Sequence, residues 1–132
     1  GAEGEKRVVE ALLSYGFIVR NVSAKQFSFD CIAYGSGKTF WVQIKNKEPR
    51  TKYPDTGLEL WRWGYLKKLA AKSGIPVLLL FTDRSKSIYG DWISDLSDEF
   101  DGHGNTFNSA DGEQMIYFWL KDLKELSLLF AA

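Results

Sequence analysis

One cysteine, Cys31, and one histidine, His103, are all that this 132-residue chain holds of two versatile residue types. A lone cysteine excludes an internal disulfide framework and favours an intracellular protein. With no cysteine partner and one histidine, neither a thiolate nucleophile nor a Cys-based zinc site finds support. His103 itself lies in a Gly-rich acidic stretch and reads as part of a solvated turn. No apolar run reaches membrane-spanning length, and Val77 to Phe81 is only long enough for a buried strand. There is no secretory leader and no initiating Met, so the start is read as trimmed and the expected location is cytoplasmic. Net charge is missing too, but not evenly. Residues 1–90 carry 15 Lys/Arg against 8 Asp/Glu, while residues 91–132 carry 2 against 9. That separation suggests a basic working surface with an acidic segment elsewhere, the alternative being ordinary drift of surface charge along a chain.

What is there is a globular composition, 45% hydrophobic and 26% charged, enough for one domain over 1–132 with a real core. Val8, Val9, Leu12 and Leu13 predict a helix over 3–15 that ends at Gly16, with Glu3 and Glu5 in its first turn, where the helix dipole alone would favour acids. A strand over 17–22 follows, then a polar loop over 23–28. Two β-rich runs, 29–34 and 39–47, form a hairpin around Gly35–Lys38. Residues 47–57 read as a basic loop. A helix is expected over 58–72, its buried side marked by Leu58, Trp61, Tyr65, Leu66 and Leu69. A central strand over 76–81, reached by a parallel crossover, comes next. Strands at 87–93 and 115–120 flank an acidic loop at 97–112, and a last helix occupies 121–130. The order predicts an α/β fold, a mixed sheet with helices on its faces.

Placing Tyr34 opposite Thr39 puts Asp30 opposite Gln43. Facing residues, and residues two apart, project from the same side of a sheet. Asp30, Gln43 and Lys45 therefore share one face, while Phe40, Val42 and Ile44 enter a core. An acid, an amide and an amine beside a hydrophobic strand are costly unless something uses them. A structural alternative makes Asp30 and Lys45 a cross-strand ion pair, worth well under about 1 kcal/mol.

Asp30, the triplet Gln43-Ile44-Lys45, and Glu5 on the preceding helix together resemble the motif of the PD-(D/E)XK nucleases. Residues 4–17, Gly-Glu-x-x-Val-x-x-x-Leu-x-x-x-Gly-Phe, are similar to the opening of the archaeal-type Holliday junction resolvases. The resemblance covers residues 3–81 and departs from the pattern twice. Phe29 stands for the motif's proline, and Gln43 stands for an acid, as in the Mrr-like branch. It implies a restriction-endonuclease-like mixed β-sheet flanked by helices, in an intracellular enzyme of prokaryotic, archaeal or phage origin. It also implies hydrolysis of DNA, branched or duplex, with Mg²⁺ or Mn²⁺ as cofactor.

Asp30 would then be the principal metal ligand, with oxygens from Gln43, the Ile44 carbonyl and Glu5, and Lys45 would orient or deprotonate the attacking water. Lys25, Lys38, Lys47, Arg50 and Lys52 flank the hairpin as candidate phosphate contacts, near Tyr53. Trp61 reads as core, whereas Arg62 and Trp63 are the better candidates for exposure. Symmetric cutting of two strands implies a homodimer. The rivals are another nuclease of the superfamily, restriction-like or devoted to phage repair, and a catalytically silent DNA-binding module.

Overall fold

Residues 2–22, 30–97, 106–108 and 112–130 are described by the structure, a computed structural model. In chain order they form α1 (Ala2–Ser14), β1 (Ile18–Asn21), β2 (Cys31–Gly35), β3 (Lys38–Asn46), β4 (Asp55–Glu59) and α2 (Leu60–Ser73). There follow β5 (Val77–Thr82), β6 (Ile88–Trp92), β7 (Thr106–Asn108), β8 (Gln114–Trp119), β9 (Lys124–Glu125) and the short α3 (Leu126–Leu129). Strands β1-β2-β3-β5-β6-β9 make one sheet, and β4-β8-β7 a second. In the first, β3 and β5 are parallel and every other pair is antiparallel.

The hairpin has the expected register, with Cys31 opposite Val42 and Tyr34 opposite Thr39. Its turn is tighter than the four residues expected: Ser36 (φ 53°) and Gly37 (φ 75°) alone reverse the chain. Two consecutive residues at positive φ match the right-handed twist of the strands they join. From there β3 alternates. Phe40, Val42 and Ile44 are buried with Val8 and Leu12 of α1, together with Leu78 and Leu80 of β5. Val77, Leu79 and Phe81 face the opposite way, into a second core with Trp63 and Leu66 of α2, and with Ile116 and Phe118 of β8. An all-apolar β5 is what a strand covered on both faces requires.

Besides β7, which lies within the stretch expected as an acidic loop and pairs with β8, three expectations are corrected. The segment taken as a basic loop contains β4, paired along its length with β8. A charged residue and a glycine disguise it. Asp55 is fully buried against Arg50, and a Cβ on Gly57 would lie 2.0 Å from the Ile116 carbonyl oxygen. The strand claims Leu58, so α2 starts two residues later and in a different phase. Its buried residues are Trp63 and Leu66, and Trp61 (56% exposed) and Tyr65 (37%) lie outside. At the C-terminus the expected long helix is a 3₁₀ turn (Leu120–Asp122), an edge strand on β6, and one helical turn. Leu123 sits in one core and Leu126 in the other, a burial no continuous helix on one sheet face provides.

Candidate active site

Where β2 begins, β3 still has four residues to run. The last ladder pair is Cys31 with Val42, and the Asp30 N–H donates to the Val42 carbonyl at 2.9 Å. Beyond that, the Asp30 side chain replaces the missing strand. Its Oδ2 accepts the Ile44 N–H at 2.6 Å and the Gln43 Nε2 at 2.8 Å. The bond to Ile44 satisfies a backbone donor that would otherwise be orphaned. Gln43, 2% exposed, also donates to the Ile44 carbonyl at 3.2 Å, and its Oε1 accepts from Arg62 Nη1 at 3.3 Å.

Glu5 comes in from the other side of the sheet edge. Gly4 lets α1 approach closely, since a Cβ there would stand 2.9 Å from the Asn46 side chain and 3.0 Å from Thr82 Cγ2. Arg7 fastens the same turn through Nη1 to Thr82 Oγ1, at 2.6 Å. The outcome is a cavity of about 310 Å³ lined by Glu5, Asp30, Gln43, Ile44, Lys45, Asn46 and Arg62. All four residues expected to carry chemistry meet there, together with the carbonyl-bearing Ile44.

Two further residues belong to this cluster. Lys45 is not paired with Asp30; its Nζ sits 2.9 and 3.2 Å from the two carboxylate oxygens of Glu59. Glu59 precedes the first turn of α2, and Arg62 Nε lies 3.7 Å from it. That Nε is buried with no hydrogen-bond partner. An acid at a helix N-terminus is a recognisable signal, but a helix taken to begin at Leu58 hides it inside the first turn.

Electrostatically the site is strained around its acid. Burial raises the Asp30 pKa, the Ile44 N–H pulls it down, and the charge of Glu5 pushes it up again, for a net rise. Burial also acts to raise Glu59, but the hydrogen bond from Lys45, a backbone N–H and the nearby Arg62 outweigh it and leave the carboxyl below its ordinary value. Lys47 is lowered by burial, and next by the charge of Lys45.

Among the described residues no group of three or more His, Cys, Asp or Glu is disposed to hold a metal. The oxygen donors available are the carboxylates of Glu5 and Asp30, the Ile44 carbonyl and the Gln43 amide. That set fits Mg²⁺, which is commonly held by one or two carboxylates plus water and substrate oxygens. It fits with one adjustment, because Gln43 turns its N–H₂ toward Asp30 and its oxygen toward Arg62. A half-turn of the amide exchanges them.

The candidate phosphate contacts scatter. Lys25, like His103, lies outside the described residues. Lys38 is exposed beside the hairpin turn, roughly 23 Å along β3 from Lys45 at strand rise. Arg50 is committed to the buried Asp55 through Nε (2.6 Å) and Nη2, and stacks 3.8 Å over the Tyr117 ring. Lys47 lies 5.0 Å over the same ring, and the exposed Lys52 lies 5.5 Å over Tyr53. The tryptophans exchange their expected places. Trp63 is buried against Phe118, while the exposed Trp61 donates its indole N–H to Glu113 at 3.0 Å and carries Arg62 over its ring at 4.9 Å.

No protein-family model matches the sequence, and no curated protein does. Among solved structures the fold is similar to that of Archaeoglobus fulgidus Hjc, a Holliday junction resolvase from an archaeal hyperthermophile. The TM-score is 0.67 over 97% of this chain and 93% of that one, at 11% sequence identity. A likeness at that identity concerns the fold alone, a central mixed sheet flanked by helices as in that resolvase. No helix of the described residues is long and apolar enough to cross a membrane.

Proposed function

We propose that this chain is a metal-dependent endonuclease hydrolysing DNA phosphodiester bonds, selective for branched structure in the manner of a Holliday junction resolvase. The observation that carries it is the meeting of Glu5, Asp30, Gln43 and Lys45 in one cavity at the open edge of β3. The fold shared with an archaeal resolvase supports it. Glu5, Asp30, the Ile44 carbonyl and Gln43 would hold Mg²⁺, or Mn²⁺ in its place, which when bound activates water and stabilises charge on phosphate oxygens. Asp30 has its place fixed by the backbone of Ile44, so its carboxylate needs no reorganisation to serve. Lys45 is held by Glu59 within the cavity wall, where it can hand one donor to a phosphate or to the attacking water while keeping another on Glu59. Arg62, with its buried unsatisfied Nε, is a second cation for the scissile phosphate. Acting on two strands of a junction would call for a two-fold dimer.

The test is nicking of a four-way junction and of linear duplex across Mg²⁺ and Mn²⁺ series. Wild type should cut, and Asp30→Ala and Lys45→Ala should abolish cutting while largely retaining DNA binding, because phosphate affinity and transition-state stabilisation come from different groups. Gln43→Glu should keep activity at lower Mg²⁺. A second reading, a silent DNA-binding module, is favoured by one feature: Gln43 brings no charge and spends its N–H₂ on Asp30. An inert wild type alongside an active Gln43→Glu would establish that reading instead.

A further inference from the structure

Two aromatic residues of α2 that periodicity assigned to the core, Trp61 and Tyr65, are exposed and line up with two lysines. Trp61, Tyr65, Lys68 and Lys72 are all on the surface of α2. Spaced by four, three and four residues, they fall within about 60° of arc and run about 16 Å along the helix. The stripe is aromatic at the end nearest the cavity and cationic farther on. It is continuous with the candidate active site through Arg62, which lines the cavity, contacts Gln43 at 3.3 Å and lies over the Trp61 ring. Trp61 is also held in place. Its indole N–H is on Glu113, beside a hollow of about 320 Å³ bounded by Leu60, Trp61, Glu113 and Gln114.

We infer that this face of α2 is a track for single-stranded DNA leaving the candidate active site, with bases stacking on Trp61 and Tyr65 and phosphates meeting Lys68 and Lys72. Fixed aromatic rings in line with cations are how proteins hold unpaired strands, because every base has a stacking face and every nucleotide a charge. A continuous duplex hides its base faces and gains nothing from the two rings. The inference rests on the nuclease reading for the direction of the track, and within branched DNA it adds a preference for branch points where a strand is unpaired beside the cut.

Binding is measured by fluorescence anisotropy in EDTA, so that no strand is cut, with a labelled single strand of about 12 nucleotides and a blunt duplex of the same length. Trp61→Ala/Tyr65→Ala should weaken single-strand binding about tenfold or more and leave duplex binding unchanged, while Trp61→Phe/Tyr65→Phe retains most of the affinity. Lys68→Ala/Lys72→Ala should lower the slope of log affinity against log salt by about 1.4, or 0.7 for each phosphate contact on a single strand. Circular dichroism checks that these surface variants fold. Unchanged single-strand binding in the alanine pair, or equal loss on both DNAs, overturns the inference. So does a wild-type dimer that the alanine pair converts to monomer without an effect on DNA, which would make the stripe a contact between copies. A wild type that cuts nothing yet binds single strands through Trp61 supports the track and overturns only the nuclease reading.

Discussion

Arg50 and Gln43 mark the two ways a residue's type can misdirect. An arginine in a Pro-containing basic loop looks like a phosphate contact, and nothing local reveals that Asp55, five residues on, is fully buried and needs it. Arg50→Ala should therefore cost about 3–5 kcal/mol of stability, because it takes the two-point cationic partner away from a buried carboxylate. Urea unfolding measures this, and a variant of normal stability with weakened DNA binding would return Arg50 to the surface role. Gln43 was legible in the opposite sense. Its position, its face and its partner Asp30 all follow from alternation and hairpin register, both local rules. What alternation does not contain is the direction of the amide, which Arg62 and Ile44 decide, nor the partner of Lys45, which comes from the end of β4 fourteen residues later.

Elements were legible where one periodicity dominated. α1, the hairpin and β5 each bury one clean pattern and stand close to their expected bounds. α2 did not, because two residues taken by β4 shift its phase, and an amphipathic reading is only as good as the start it assumes. Two elements carry predictions. In α1, Gly4→Ala gains helix propensity but meets Asn46 and Thr82. Stability should stay within about 1 kcal/mol of wild type, while Mg²⁺ affinity by calorimetry, and cleavage with it, should fall as Glu5 is displaced. Unaltered metal binding would show that the Asn46 side chain yields to the new methyl group and leaves Glu5 in place. In the turn between β5 and β6, Asp83 accepts from Ser85 N at 2.8 Å and Tyr89 Oη at 2.9 Å. Burial tends to raise its pKa, but these bonds and the charge of Arg7 prevail and lower it. A depressed carboxyl stabilises the fold above its ordinary pKa and ceases to do so as pH falls through its folded value. Asp83→Asn should thus cost about 1–3 kcal/mol at neutral pH, with the gap to wild type closing below about pH 4. A gap independent of pH would mean that geometry, not charge, holds the turn.

At the scale of the molecule, β5 divides two cores that share one strand. Leu80→Ala opens the core under α1 and Leu79→Ala the core under α2, each at about 2–5 kcal/mol. Because both cores rest on the same strand, each variant should unfold in a single transition, with Trp fluorescence and far-ultraviolet circular dichroism coinciding. Separated transitions would mean that the layers are independent. The close seating of α1 has a consequence for the newborn protein. Glu5 leaves the ribosome well ahead of β5, yet its helix is docked by Gly4 and Arg7 against Thr82, the last residue of β5. Synthesis runs from the N-terminus and a domain folds as a unit. Between the emergence of Asp30 and that of β5 the chain therefore holds both acids of the cavity without the surface that gathers them, and the cavity can close only once β5 is out.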